Sequence, residues 1–244
     1  MIYIVGLGPG GADQMTPAAM QALEKCDVIV GYKTYVGLIA PIFEGRKELV
    51  SSSMKSEVAR CEEVLKLSLG GKTVGLISSG DAGVYGMAGI MYEVADGRDE
   101  IVVIPGITAA CAAASVLGAP LMHDFAVISL SDLLTPWELI IRRLEAAAAG
   151  DFVICLYNPM SRGRPNNLRM ACEALLKTKS PDTAAGWVRN IGRDGQESHL
   201  CTLAQLAGEK LDMFCTVVIG NSKTKFLHGK LVTPRGYLEK NAER

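Results

Sequence analysis

Two glycine-rich segments follow directly on apolar runs and could do chemistry. They are Gly6-Leu7-Gly8-Pro9-Gly10 after Ile2-Tyr3-Ile4-Val5, and Gly80-Asp81-Ala82-Gly83 after Val74-Gly75-Leu76-Ile77-Ser78-Ser79. Glycine at the carboxyl end of a strand lets the backbone come close to a ligand, and crevices in open α/β sheets form at those ends. What is missing narrows the chemistry. Gly11-Ala12-Asp13-Gln14 breaks the Gly-x-Gly-x-x-Gly spacing of a dinucleotide turn, and Val28-Ile29-Val30 ends in Gly31-Tyr32 where a ribose-binding acid belongs. No Gly-x-x-x-x-Gly-Lys-Ser/Thr occurs, which excludes a P-loop. Pro9 has no N–H, so the first loop is a poor anion cradle and suits a cofactor without phosphates. Asp81 either accepts from an amine or hydroxyl of a ligand or caps a helix over Val84–Val94, and one residue could do both.

The elements that must position these loops are strands alternating with helices. Apolar runs at Ile2–Val5, Val28–Val30, Thr73–Ser78, Ile101–Ile104, Ala126–Leu130, Phe152–Tyr157, Ala184–Asn190 and Thr216–Gly220 read as strands. With helical patterns between most of them, they predict an α/β fold with mainly parallel sheets covered on both faces. Thr16-Pro17 and Thr135-Pro136 mark helix starts, for helices running to about Cys26 and Ala149. In the second of these, Trp137, Ile140, Ile141 and Leu144 share a face. A further helix begins near Ser56, with Val58, Cys61, Val64, Leu65 and Leu69 as its buried side, and Thr108–Ser115 reads as a helix of small residues. The stretch Leu117-Gly118-Ala119-Pro120 is the expected boundary between two α/β lobes, 1–119 and 120–244, with the cofactor in the cleft they share.

The chain has 244 residues, 49% of them hydrophobic, and a formal net charge of −1. No basic run suggests a nucleic-acid partner, and every apolar stretch is broken short of the roughly 20 residues a membrane span needs. The amino terminus reads as a first strand rather than a signal peptide, so the cytoplasm is the expected location. Seven scattered cysteines with no Cys-x-x-Cys pair argue for reduced thiols and against a metal site.

The two loops, together with Pro105-Gly106-Ile107-Thr108-Ala109, Leu156-Tyr157-Asn158-Pro159 and Val188-Arg189-Asn190-Ile191-Gly192-Arg193, resemble the tetrapyrrole methylase family, which uses S-adenosylmethionine. Within it, the sixteen residues His123–Glu138 resemble the branch that methylates carbon 17 of precorrin-3B or cobalt-factor III during cobalamin synthesis, coupled to contraction of the ring. The resemblance implies the two-lobed class III methyltransferase fold, a homodimer and S-adenosylhomocysteine as co-product. Carried over by motif, the cofactor would contact Gly8, Pro9, Gly80, Asp81, Ala82, Gly83, Val84, Tyr85, Thr108, Ala109, Leu156, Tyr157, Asn158, Arg189, Asn190 and Thr216.

On the substrate side, His123, Ser129, Ser131 and Asp132 are the candidates for acid–base work in ring contraction. The implied substrate is a polycarboxylate tetrapyrrole, so Lys55, Arg162, Arg164, Arg189 and Arg193 are candidates for gripping its arms, and Tyr32 and Tyr35 for lying against its ring. Three other readings stay open. One is a sister methylase acting on another ring carbon or on uroporphyrinogen III. The second is a nucleotide-binding oxidoreductase, which the missing fingerprint disfavours, and the third a non-catalytic tetrapyrrole carrier.

Overall fold

A computed structural model describes residues 1–53 and 56–237. The chain divides into two compact units, Met1–Ala109 and Ala110–Arg244. The boundary falls earlier than the one expected at 119/120. Gly118 and Ala119 form a short strand that pairs with Leu231 and Val232, which ties this stretch to the second unit.

The first unit runs β1 (Ile2–Gly6), α1 (Pro17–Lys25), β2 (Val28–Tyr32), α2 (Lys33–Phe43), β3 (Glu48–Ser52), α3 (Glu57–Leu69), β4 (Val74–Ser78), α4 (Ala88–Ala95) and β5 (Ile101–Ile104). Its five strands form one sheet in the order β3-β2-β4-β1-β5, with every pairing parallel. All five carboxyl ends therefore lie along one edge. Alternate residues feed two cores. Ile2, Ile4, Val28, Val30, Val74 and Leu76 pack with Cys61, Val64 and Leu65 of α3, whereas Val5, Ile29 and Ile77 pack with Leu23, Val36, Ile39 and Phe43 of α1 and α2. Burial on both faces explains why β1, β2 and β4 are so apolar.

The second unit begins at the second residue of α5 (Ala109–Leu117) and continues with β6 (Gly118–Ala119), β7 (Phe125–Ser129), α6 (Trp137–Ala149), β8 (Val153–Tyr157), α7 (Asn167–Leu175), β9 (Ala184–Arg189), β10 (Glu197–Thr202), α8 (Leu203–Leu206), β11 (Cys215–Ile219), β12 (Lys225–Leu227) and β13 (Lys230–Val232). Its main sheet has the order β10-β9-β11-β8-β7. The pair β7–β8 is parallel, as expected. β11 instead enters antiparallel between β8 and β9, and β10 folds back antiparallel on β9. The strands β7, β8 and β9 still share a direction, so their carboxyl ends share an edge.

Two helix details depart from expectation. Thr16 caps α1 by accepting from Ala19 N–H at 3.1 Å, but Thr135 caps nothing, because Pro136 is still extended (ψ 138°) and α6 starts at Trp137. On α3 the buried stripe is Arg60, Cys61, Val64, Leu65 and Ser68, while Val58 and Leu69 are 54% and 58% exposed.

Candidate functional site

In the first unit the loops after β1, β4 and β5 meet at the carboxyl edge. Gly8 and Gly80 exchange backbone hydrogen bonds: Gly8 N–H donates to Gly80 O at 3.0 Å, and Gly80 N–H donates to Gly8 O at 2.7 Å. Both have positive φ, 76° and 68°. A Cβ on Gly106 would sit 2.2 Å from Gly80 O and 2.7 Å from Gly6 O, and one on Gly6 would sit 2.6 Å from Gly106 N. Glycine at 6 and 106 is thus required for three loops to touch through their backbones.

Asp81 holds this junction. Its Oδ1 accepts from Gly83 and Val84 N–H at 2.8 and 3.2 Å, and its Oδ2 accepts from Gly106 N–H at 3.0 Å. It does not cap the helix expected over Val84–Val94, because that helix, α4, begins only at Ala88 and its N-cap residue is Met87. The carboxylate braces the loop rather than the helix. Around the junction Gly83, Val84, Tyr85 and Ile107 are exposed, Tyr85 at 58%, while Gly8, Pro9 and Ala82 are buried. Tyr85 is also held at φ 53°, a conformation costly for an aromatic residue and common where function fixes a loop. A backbone cradle that no Cβ would fit, rimmed by exposed apolar side chains, suits an uncharged nucleoside body better than a phosphate.

In the second unit the expected residues gather at the carboxyl edge of β7, β8 and β9. Ser129 pairs in register with Tyr157, and Thr216 pairs with Val188. Asn158 donates from Nδ2 to Ser129 Oγ at 3.0 Å, and Ser131 N–H donates to the same oxygen at 3.2 Å. Asn167 donates to Leu130 O at 2.9 Å and pins the segment beyond β7. Asp132 lies 3.9 Å from Arg164 Nη1, a nitrogen buried without a hydrogen-bond partner, while Arg164 Nε donates to Ser161 Oγ at 3.2 Å. Asn158 and Asn190 both have positive φ, 53° and 48°, which asparagine tolerates better than other side chains.

Tyr157 Oη accepts from Ala110 N–H at 2.7 Å, satisfying an otherwise orphaned first-turn donor of α5. Leu156 and Thr216 are buried, so Leu156 would reach a ligand through its backbone. Arg189 lies against Asp212, with Glu197 at 3.9 Å, and hydrogen bonding to Asp212 pushes its guanidinium further up.

His123 is not part of this cluster. It precedes β7, whereas Ser129 ends it, and a strand rises about 3.3 Å per residue. Its Nε2 lies 3.0 Å from Pro234 O, in a shallow cavity also lined by Ser222, Lys223, Thr224, Lys225 and Arg235. Tyr32 and Tyr35 meet edge to face with ring centroids 5.4 Å apart. Arg162 is exposed, Arg193 is half-buried, and Lys55 lies outside the described residues. Sequence reasoning did not single out Asn167 or Arg60, since each sits inside a helical pattern where a polar residue reads as an ordinary face.

Two α/β units, the first with a glycine-built backbone cradle at the carboxyl edge of its sheet, fit a methyltransferase-type architecture, and the chain belongs to the tetrapyrrole (corrin/porphyrin) methylase family, matched over residues 1–207. Among its relatives is the "Probable cobalt-factor III C(17)-methyltransferase" of Salmonella typhimurium, 47% identical over 97% of this chain and 99% of that protein. The "Cobalt-factor III methyltransferase" of Priestia megaterium is 46% identical over 98% of this chain, which spans 45% of that longer protein. The crystal structure of the methyltransferase CobJ superposes with a TM-score of 0.90 at 37% identity, covering 96% of this chain and 99% of that one. A uroporphyrin-III C-methyltransferase from Thermus thermophilus, solved in complex with S-adenosylhomocysteine, shares the fold, with a TM-score of 0.69 at 20% identity over 90% of this chain and 91% of that one. No helix among the described residues is long and apolar enough to cross a membrane.

Proposed function

We propose that this chain transfers a methyl group from S-adenosylmethionine to carbon 17 of cobalt-factor III, coupled to contraction of the macrocycle. The observation that carries the reading is the near-full-length identity to a protein named for that reaction. Bound S-adenosylmethionine supplies a methyl group activated on a sulfonium sulfur. The ring carbon takes the methyl as the sulfur–methyl bond breaks, leaving S-adenosylhomocysteine.

Gly8, Pro9, Gly80, Gly83, Val84, Tyr85, Thr108 and Ala109 would hold the cofactor from the first unit. Tyr157, Asn158, Asn190 and Thr216 are the corresponding candidates in the second. Asp81, with both oxygens engaged by backbone N–H groups, keeps the first loop in shape. Alignment alone supplies much of a direct transfer, so no acid or base is needed for it. Contraction does move protons, and Ser129, Ser131 and Asp132 are the groups at the carboxyl edge able to take or give them. The chain is proposed to act as a homodimer.

The test is anaerobic incubation of the purified protein with S-adenosylmethionine and cobalt-factor III, with metal-free precorrin-3B in parallel, following spectrum and product mass. One added methyl and a contracted ring from the cobalt compound alone supports the proposal. Turnover of precorrin-3B alone would move the chain to the metal-free route, and methylation at another carbon would make it a sister methylase.

A further inference from the structure

Arg60 is 6% exposed, and no carboxylate among the described residues lies within 4.0 Å of its guanidinium. An arginine keeps its charge at any physiological pH, and a buried charge is ordinarily paired. Among the described residues its side-chain hydrogen bonds go to uncharged acceptors. Nε donates to Ser52 Oγ at 2.6 Å, Nη2 to Ser53 O at 3.0 Å, and Nη1 to the weakly accepting Met87 Sδ at 3.7 Å.

Its place in the fold adds to the imbalance. Arg60 stands in the first turns of α3, where the helix dipole repels a cation, and Ser56 at the N-cap makes no side-chain capping bond. Glu57 is the acid of that turn and does not reach the guanidinium. The Ser53 and Ser56 hydroxyls lie 3.2 Å apart at the same junction, with Ser53 exposed and Ser56 half-buried. The junction follows β3 and therefore opens on the same sheet edge as the glycine loops, to which Arg60 is tied through Met87, whose N–H donates to Ser78 Oγ at 3.3 Å.

We propose that Arg60, with the Ser53 and Ser56 hydroxyls, is an anion receptor that takes one carboxylate arm of the polycarboxylate tetrapyrrole. This rests on the function proposed above and names a specificity residue for it. An entering carboxylate supplies the counter-charge that no described carboxylate provides and offers two oxygens to a donor fork that neutral acceptors satisfy only in part.

The experiment is fluorescence titration of the full chain with uroporphyrin, a metal-free octacarboxylate porphyrin, across a range of NaCl concentrations. Arg60→Met is expected to weaken binding about 10- to 100-fold and to flatten the salt dependence. Arg60→Lys should recover part of both, while affinity for S-adenosylmethionine, read by calorimetry, stays within about threefold. A folded Arg60→Met protein with wild-type affinity and salt dependence overturns the proposal. So does a loss equal in both variants and shared by S-adenosylmethionine, which would make Arg60 a brace only. If Arg60→Met does not fold, the Arg60 Nε–H resonance of the wild-type protein, assigned with Arg60→Lys, must shift on adding uroporphyrin; an unmoved resonance is equally decisive against. Wild-type turnover of cobalt-factor III alongside either negative result sinks this inference alone. A wild-type protein that neither binds uroporphyrin nor methylates any tetrapyrrole sinks the proposed function and this inference with it.

Discussion

Four side chains in one sixteen-residue stretch invite the same chemical reading, yet the strand between them pulls His123 away from Ser129, Ser131 and Asp132. It lies in a bend before the amino end of β7, whereas Ser129 closes the carboxyl end of that strand. It sits instead against Pro234 O. His123→Ala should therefore leave the turnover of cobalt-factor III within about twofold of wild type, whereas Asp132→Asn should slow contraction by about 100-fold or more, the usual range for losing a general acid or base. Mass and absorbance of the product separate the two, because Asp132→Asn should accumulate a methylated, uncontracted ring. Equal losses in both variants would place the acid–base work elsewhere. Cysteine reactivity belongs to the same scale. Burial pushes the thiols of Cys26, Cys155, Cys172 and Cys201 up to about 12 and those of Cys61 and Cys215 up to about 11, which leaves them inert. Cys111 is exposed on α5. A maleimide at neutral pH should add one fast equivalent, mapped to Cys111 by peptide mass; a second fast site would mean that one of the others opens.

At the scale of elements, glycine makes opposite predictions in different places. Gly106→Ala puts a Cβ 2.2 Å from Gly80 O, backbone that cannot step aside, so about 3 kcal/mol or more of stability and most cofactor affinity should go together. Gly37→Ala, inside α2 with nothing within 4 Å of the new methyl, should instead stabilise by about 0.5–1 kcal/mol. Chemical denaturation of both variants, with calorimetry of S-adenosylmethionine binding, checks the pair. The same elements show what was legible beforehand. Strands β1, β2, β4 and β5 of the first sheet were, because each is an unbroken apolar run. Helix α1 was, because Thr16-Pro17 does what its residue types allow. Strand β3 and helix α2 were not: Glu48–Ser52 is an edge strand with polar positions, and Gly37 and Pro41 make α2 read as a turn. The buried face of α3 was misjudged because Arg60 and Ser68 occupy it, displacing Val58 and Leu69 to solvent. That substitution of a charge for an apolar residue in a buried stripe is also the signal that a residue-type pattern discards and a structure recovers. The close approach of three loops through Gly6, Gly80 and Gly106, and the positive φ of Tyr85, are backbone facts that no residue spacing announces.

Across the whole molecule, alternation of strands and helices was enough to predict the α/β class, whereas the antiparallel entry of β11 depends on connections that periodicity does not encode. The charges that tie each unit together have a common consequence in acid. Burial works against ionisation of Asp99 in the first unit, but the Ser68 hydroxyl, the Glu100 N–H and the terminal ammonium outweigh it and hold its carboxyl below the usual value of 3.8. In the second unit Asp151 is treated alike: burial opposes its charge, and the Ser222 hydroxyl and N–H, Lys179 and His123 together lower it. Burial in turn lowers the Lys179 ammonium, and Asp151, 3.8 Å away, opposes that. A carboxyl whose pKa is depressed by folding contributes stability that is complete above its unfolded value and is lost as pH falls through its folded one. The melting temperature should therefore hold between pH 6 and 8 and fall below about pH 4 as both carboxylates take up protons. Asp151→Asn isolates one of them. Asn tolerates the left-handed backbone at this position, φ 55°, so the change removes charge without straining the turn. It should lower the melting temperature at pH 7 by about 2–4 °C, in proportion to a loss near 1 kcal/mol, because Lys179 keeps a buried charge with no carboxylate to meet it. As pH falls through its lowered folded value the wild-type carboxyl is itself protonated, so the gap between the two proteins should narrow in acid. A gap that stays constant from pH 7 to pH 3 would mean that Ser222 and Lys179 are held by geometry and not by the charge on Asp151.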